Sequence, residues 1–125
     1  MPNFETLHGY RVVAKAAALD AIVTGDLALR LAPDDVFILG PAPEQIDDQF
    51  AIVEQEAGFS GIWLTSQQFT DVVLPHIDWT LPADRPALAQ GLVANVPAKL
   101  WLTDDQVLLF TNSAYAHDLA ERIHE

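Results

Sequence analysis

Two segments of this chain follow one pattern of residues, and that pattern is typical of a β-hairpin. Leu27–Gly40 reads LALRLAPDDVFILG, and Ala98–Asn112 reads AKLWLTDDQVLLFTN. In each segment a strand with alternating apolar residues leads to an acidic turn, and a more apolar strand follows. We therefore predict two antiparallel hairpins, the second of which leads directly into a C-terminal helix.

The segment between these hairpins predicts a further hairpin and a second helix. Phe50–Gln55 and Phe59–Thr65 have strand character and lie on either side of a turn at residues 56–58. Ser66 is placed to cap the helix that follows, and the apolar residues behind it recur at helical spacing. This helix should end near Leu74, because the next residue is proline.

The remaining segments complete the expected order of elements. The alanine-rich segment Tyr10–Val23 is compatible with a helix or with a strand that begins at Arg11–Val13, and we favour an early strand followed by irregular chain. Asp78–Pro86 predicts an exposed loop, and Leu92–Thr103 predicts a strand that Pro97 interrupts, as at a sheet edge or a bulge. The fold class expected is α+β: a single domain over residues 1–125, with a mostly antiparallel sheet built from hairpins and two main helices packed on one face. Residues 1–26 have the least defined pattern.

Composition narrows the classes of function. The chain has 125 residues, half of them hydrophobic, which is enough for a sizeable core. Its 18 acidic and 6 basic residues give a net charge of −12, which would repel nucleic acid and an anionic membrane surface. The absence of cysteine excludes disulfides, thiolate nucleophiles and cysteine-ligated metals. No basic leader followed by an apolar run is visible, so we expect a cytoplasmic protein.

Two groups of histidines were considered for chemistry. His117, Glu121 and His124 recur at helical spacing and share one face, where they could hold zinc in a metal-dependent enzyme. Polar residues at that spacing are more often a solvated helix face, and we favour this interpretation. His76 with Asp78 could form a general base, but no nucleophile motif lies nearby. We therefore predict no catalytic residue and no metal site.

Three pairs of adjacent aspartates are better explained by turns than by chemistry. They are Asp34-Asp35, Asp47-Asp48 and Asp104-Asp105, and two of them lie at hairpin tips. Aspartate favours turns, and we expect these charges to point into water. The sequence contains no calcium-binding loop, glycine-rich phosphate loop or nucleophile-elbow motif.

The tryptophans are the more informative candidates. Trp63 and Trp101 lie in apolar strands, and Trp79 lies in the loop bounded by prolines. Strand alternation places Trp101 on the face opposite its two neighbouring leucine positions. It would then be half-exposed, as an anchor for a partner or a flat ring, or it would pack under the terminal helix beside Tyr115.

The order of the segments resembles a known family. The segments are LRLAPDDVFILG (Leu29–Gly40), AIVEQEAGFSGIWLTSQQFTDVVLPHID (Ala51–Asp78) and LVANVPAKLWLTDDQVLLFTNSAYAHDLAERI (Leu92–Ile123). Together they resemble the gamma subunit of heterotetrameric sarcosine oxidase, a family similar in turn to the folate-binding domain of the glycine-cleavage T protein. The resemblance starts at Leu27, and the region before it is shorter here than in a typical gamma subunit.

The resemblance implies a non-catalytic role in one-carbon amine metabolism. In that family the flavins, NAD and folate are attributed to the larger subunits, so no cofactor is expected on this chain. The expected function is an accessory subunit or a stand-alone relative, associated with larger flavoprotein oxidase subunits or with itself. The alternative is a module that binds a folate-like ring, with Trp79, Trp101 or Tyr115 stacking on it.

Overall fold

The computed structural model of the chain describes residues 3–124, which form nine strands and three helices. In chain order these are β1 (Glu5–Thr6), β2 (Gly9–Val13), α1 (Ala16–Asp20), β3 (Leu27–Ala32), β4 (Asp35–Leu39), β5 (Ile52–Glu56), β6 (Phe59–Thr65), α2 (Ser66–Gln68), β7 (Ala87–Val93), β8 (Val96–Leu102), β9 (Gln106–Asn112) and α3 (Ser113–Ile123). A π-helical turn, Phe69–Val73, and a 3₁₀ turn, Leu74–His76, continue α2. Every strand pair in the described residues is antiparallel, and the α+β class is confirmed.

These elements divide into two compact units. The N-terminal unit, residues 7–57, contains a four-stranded sheet in the order β3-β4-β2-β5. The C-terminal unit, residues 3–6 and 58–124, contains a five-stranded sheet in the order β1-β6-β9-β8-β7. The sequence predicts one sheet within a single domain over residues 1–125, whereas the structure has two sheets. Hairpin patterns are local, but sheet membership depends on long-range pairing.

Both hairpins that share the repeated pattern are present. β3 pairs with β4 across a turn at Pro33 and Asp34, and β8 pairs with β9 across residues 103–105. In the second turn the backbone N–H of Thr103 donates to the carbonyl of Gln106 at 3.0 Å. The predicted apolar return strands are well buried: β4 is the most buried strand of its sheet, and five of the seven residues of β9 are buried.

The third predicted hairpin is wrong. β5 and β6 are separated by only two residues, yet β5 pairs with β2 and β6 pairs with β1 and β9. The two strands therefore belong to different sheets. β9 offers β6 a long apolar partner, in register from Phe59 to Thr65, and this burial outweighs the short connection that favours a local hairpin.

The segment predicted as one strand over Leu92–Thr103 contains the end of one strand and all of another. β7 and β8 are joined by a two-residue turn in which Ala94 and Asn95 have φ angles of 50° and 65°, the left-handed values that such turns require. β8 lies between β7 and β9, so the predicted edge position for Pro97 is wrong. The ladder with β9 starts only at Lys99, and Pro97 is tolerated beyond its end.

The two main helices begin at capped residues, as the sequence predicted. The hydroxyl of Thr65 accepts from the backbone N–H of Gln68 at 3.1 Å, and the Gln68 side chain accepts in return from the N–H of Thr65. The cap is thus Thr65 rather than Ser66, and the helical segment continues to His76. Asn112 caps α3 by accepting from Ala114. The short α1 lies where irregular chain was expected.

Both main helices pack on one face of the five-stranded sheet. The buried residues of this core come from the π-helical continuation of α2, from α3 and from alternate positions of β6 to β9: Ile62, Leu64, Phe69, Val73, Ala89, Val93, Val96, Ala98, Leu100, Leu102, Val107, Leu109, Leu119 and Ile123. In the N-terminal unit a smaller cluster joins α1 to one face of the sheet, through Val12, Ala14, Ala18, Leu19, Val36 and Ile38. The predicted placement of two helices on one face is confirmed.

Candidate functional site

The face of the five-stranded sheet that is opposite the helices carries a lateral row of large apolar residues. Trp63 of β6 and Trp101 of β8 are both register partners of Leu108 of β9, and Leu88 of β7 pairs with Trp101. Leu108 is fully buried, whereas Trp63 is 42% exposed. We call Trp63, Leu108, Trp101 and Leu88 the tryptophan row.

Aromatic rings and one cation lie beside the tryptophan row on the same face. Phe59 and Phe110 form an edge-to-face pair with ring centroids 5.6 Å apart. The Nζ atom of Lys99 lies 5.5 Å from the centroid of the Phe59 ring, within the range of a cation–π interaction. Phe59 and Phe110 are buried, so the exposed part of this face consists mainly of Trp63, with the half-buried Trp101 and Lys99 beside it. Exposed tryptophan is typical of a surface that contacts a partner.

The predicted position of Trp101 is confirmed in part. Its side chain lies opposite Leu100 and Leu102, which are buried among the helices, and it is half-buried. The alternative of packing under the terminal helix beside Tyr115 is wrong, because α3 covers the other face of the sheet. Sequence reasoning did not select Trp63, although the alternation of Ile62, Trp63 and Leu64 carries the same signal.

Trp79 has a structural environment in the C-terminal unit. Its indole N–H donates to the carbonyl of Leu92 at 2.7 Å, and its ring lies against Gly91. The ring also packs on the core that contains the helices. Trp79 and Trp101 therefore lie on opposite faces of the sheet and cannot stack on the same ligand.

Tyr115, the third ring considered for ligand stacking, lies near the start of α3. Its side chain is 48% exposed. Because α3 packs on the face opposite Trp101, the structure does not bring Tyr115 and Trp101 together. The three candidate rings do not form one binding site.

The histidine groups do not assemble a metal site in residues 3–124, where no group of three potential ligands is close enough. The Nε2 atom of His117 lies 3.1 Å from a carboxylate oxygen of Glu121, and both side chains are largely exposed. In the described chain no hydrogen bond joins His76 to Asp78. The backbone of His76 instead accepts from the N–H of Ala94 at 3.0 Å.

An ionic cluster lies on one face of the four-stranded sheet. Arg11 donates two hydrogen bonds to Asp35 and one to Glu56, the latter at 2.9 Å. The hydrogen bonds to Asp35, and to a lesser extent that to Glu56, raise the pKa of Arg11 against the opposing effect of partial burial. The expectation that the Asp34-Asp35 charges point into water is therefore wrong for Asp35, because β2 brings a guanidinium beside it.

Three surface clefts lie away from the three candidate rings. One of about 510 Å³ lies among loop residues around Val23 and Pro43, and another of about 390 Å³ is lined by His8, Tyr10 and Gln55. A third, of about 470 Å³, lies between Asn95 and Arg122. None of these three has the convergent apolar lining with a few polar groups that characterises a small-molecule site.

The comparisons with known proteins add a likeness of fold. Two chains of solved structures match, and one is a chain from heterotetrameric sarcosine oxidase of Corynebacterium sp. U-96 in complex with pyrrole 2-carboxylate. The match covers 97% of this chain and 82% of that one, with a TM-score of 0.68 and 16% sequence identity. No protein-family model and no curated protein matches.

The extent of this match determines what it supports. At 16% identity the likeness shows that the two chains share a fold. The match includes both compact units, since only 3% of this chain lies outside it.

None of the helices in the described part of the chain is long and apolar enough to span a bilayer.

Proposed function

We propose that this chain is a non-catalytic accessory subunit, similar to the gamma subunit of heterotetrameric sarcosine oxidase, that associates with larger flavoprotein oxidase subunits. The observation that supports this most is the likeness of fold over 97% of the chain to a chain of such a heterotetramer. The sequence segments quoted above supply the resemblance to the gamma subunit itself.

The chemistry of the described residues is consistent with this proposal. Enzymatic acid–base chemistry needs a positioned base near a nucleophile or substrate cleft. The histidines of the described chain are mostly exposed or bonded through their backbone, and the best organised ionic cluster, around Arg11, is an internal contact between strands. The fold is better suited to binding a partner protein than to catalysis, and the tryptophan row is the part of its surface with the composition of an interface.

The tryptophan row is the surface that we assign to the larger subunits. Trp63 is 42% exposed, although it lies inside strand β6 and its sequence neighbours Ile62 and Leu64 are buried. Tryptophan is enriched among residues that dominate binding energy, since a large rigid ring gains contact area at little cost in entropy. Docking there would cover Trp63 and extend over Trp101.

Co-purification tests the proposal. The chain, with an affinity tag, would be expressed together with the larger subunits of a heterotetrameric sarcosine oxidase, and the eluate would be examined for flavin absorbance and sarcosine oxidation. We expect a stoichiometric complex that carries flavin and oxidises sarcosine. Recovery of the chain alone, while the oxidase subunits assemble and turn over without it, would refute the proposal.

Binding of a folate-like ring is a second candidate, favoured by the half-buried Trp101 near Lys99. An aromatic ring beside a cation suits a ligand that joins a flat heterocycle to a carboxylate tail. Titration with tetrahydrofolate, followed by tryptophan fluorescence, should then quench a signal that Trp101→Phe removes and Trp79→Phe retains. An unchanged signal at millimolar ligand would exclude this candidate.

A further inference from the structure

Strand β5 is an open sheet edge in the N-terminal unit. It pairs with β2 on one side, and within residues 3–124 no strand pairs with its other side. An edge of this kind presents unpaired backbone donors and acceptors that can bind another extended chain. Soluble proteins usually protect such edges with charged side chains, proline or a bulge. β5, with sequence IVEQE, carries only the acidic charges of Glu54 and Glu56 and has no lysine or proline, so it would disfavour an acidic strand but not a basic one.

The apolar side chains along this edge are unusually exposed. Phe50, just before the strand, is 80% exposed, and Ile52 is 55% exposed. Val53 is 41% exposed and points to the opposite face from Ile52, because successive residues of a strand alternate. An added strand would cover apolar surface on both faces of the sheet.

The charge at the edge indicates what such a strand would carry. Glu54 is the register partner of Arg11, but the guanidinium is bonded to Asp35 and Glu56, which leaves three carboxylates around one cation. No salt bridge to Glu54 is present in the described part of the chain. The segment from residue 44 to residue 57 contains five acidic residues and no lysine or arginine. A lysine or arginine opposite Glu54 would therefore be favourable.

A second copy of this chain is a poor occupant of the edge. Antiparallel pairing of β5 with itself about its central residue would place Glu54 opposite Glu54 and Ile52 opposite Glu56. Directly opposed like charges are destabilising, and the isoleucine would face a carboxylate rather than an apolar side chain. A register centred on Ile52 avoids this repulsion, but it places Phe50, and no cation, opposite Glu54. The charge pattern thus favours a different chain with basic residues.

We propose that β5 is a docking edge that accepts an extended, basic segment of a partner protein by strand addition. Backbone hydrogen bonds would hold the segment, an apolar residue opposite Ile52 would cover the exposed side chain, and lysine or arginine would pair with Glu54. This inference uses a different surface from the tryptophan row, so either proposal can fail without the other.

Peptide binding tests the docking edge. The probe is a fluorescein-labelled peptide with the core Lys-Thr-Lys-Val-Val, which places lysines opposite Glu56 and Glu54 and valines opposite Val53 and Ile52. The matched control peptide has glutamate in place of both lysines. Two further control peptides are N-methylated at alternate amides, one at the odd and one at the even positions, so that one of them blocks the backbone donors that would face β5. Fluorescence anisotropy gives affinity, and hydrogen exchange locates the amides that the peptide protects.

We expect the lysine peptide to bind, the glutamate peptide and one of the two N-methylated peptides to bind at least about fivefold more weakly, and exchange to slow at residues 52–55. Glu54→Lys should reverse the preference between the lysine and glutamate peptides at low salt. Glu44→Lys, the same change of charge at an exposed residue before the strand, should leave the preference intact.

Three results would overturn the proposal. One is the absence of an anisotropy change with the lysine peptide at millimolar protein. Another is an equal effect of Glu44→Lys and Glu54→Lys, which would show only nonspecific attraction to an acidic protein. The last is dimerisation of the chain itself, measured by sedimentation, with protection of residues 52–55 in the absence of peptide, since the occupant would then be a second copy.

Discussion

Gly91 lies directly against the indole ring of Trp79, so that a Cβ atom at this position would be 2.5 Å from the ring. Gly91→Ala should displace the ring, weaken the bond from its N–H to Leu92 and lower the free energy of unfolding by about 1–3 kcal/mol. Gly25 has no atom near its Cβ position, and Gly25→Ala is the matched control, with an expected change within about 0.5 kcal/mol. Urea unfolding followed by fluorescence compares the two, and equal midpoints would contradict the packing described here.

Asp34 and Asp35 are neighbours in one hairpin, but only Asp35 receives hydrogen bonds from Arg11. Asp35→Asn should lower the free energy of unfolding by about 1–2 kcal/mol, because a charge-assisted pair between strands is lost. Asp34 is exposed, and Asp34→Asn should change stability by less than about 0.5 kcal/mol. Thermal unfolding of both variants measures this, and equal effects would argue against the ionic cluster.

Asp48 is the residue with a clear consequence for pH. Its carboxylate accepts from the backbone N–H groups of Lys15, at 2.8 Å, and Phe50, at 2.9 Å, and these bonds lower the pKa of Asp48. The stabilisation is complete above the pKa of the unfolded chain, about 3.9, and is lost as pH falls through the lower pKa of the folded state. Asp48→Asn should therefore flatten the loss of stability below about pH 4.

The exposed neighbour of Asp48 supplies the control for this prediction. No hydrogen bond to the Asp47 side chain is present in the described chain, so Asp47→Asn should retain the wild-type dependence on pH. Unfolding midpoints measured across the acid range test both variants. An acid profile of Asp48→Asn that coincides with the wild-type profile would show that its carboxylate is not coupled to folding.

At the scale of single elements, local signals placed the start of the helix after β6 to within one residue, at Thr65 rather than Ser66. The capping box of Thr65 and Gln68 is formed entirely by residues three positions apart. Thr65→Ala should cost about 1 kcal/mol of stability, since it leaves a helix donor without its acceptor. Thr70→Ala removes a hydroxyl that bonds only to the carbonyl of Ser66 in the same helix, and it should be neutral.

Chemical denaturation distinguishes the capping prediction from a general effect of removing threonine. If Thr70→Ala is as destabilising as Thr65→Ala, the capping box does not contribute as proposed. The comparison is matched, because both threonines are exposed and both bond to the same helical segment, Thr65 as its cap and Thr70 within it.

At the scale of the whole molecule, the exposed side chains of Trp63 and Tyr115 in the C-terminal unit allow the proposed association to be tested. Trp63 and Tyr115 have similar exposure but lie on opposite sides of the sheet and its helices. Trp63→Ser should weaken association with oxidase subunits about tenfold or more, as loss of an interface anchor does, whereas Tyr115→Ser should have little effect. Co-purification at graded concentration measures this, and an effect of Tyr115→Ser alone would move the interface to α3.

Most predictions that depend on residues close in the sequence were right, and several that depend on pairing between distant strands were not. The alternation in β8 placed Trp101 opposite Leu100 and Leu102, because a strand alternates whatever its neighbours are. The separation of β5 from β6 was not accessible, since both a local hairpin and two sheets satisfy the same short-range pattern. Trp79 appeared to be an exposed loop residue, and only the approach of β7 placed Gly91 beneath its ring.

By itself the sequence determined the two repeated hairpins, the capped helices and the α+β class, because these depend on contacts between residues close in the chain. Only the tertiary structure decided the rest. Long-range pairing divided nine strands into two sheets, aligned Trp63 and Trp101 across Leu108, and left β5 as an open edge. These features depend on which distant strands bury each other's apolar faces, and local patterns do not contain that choice.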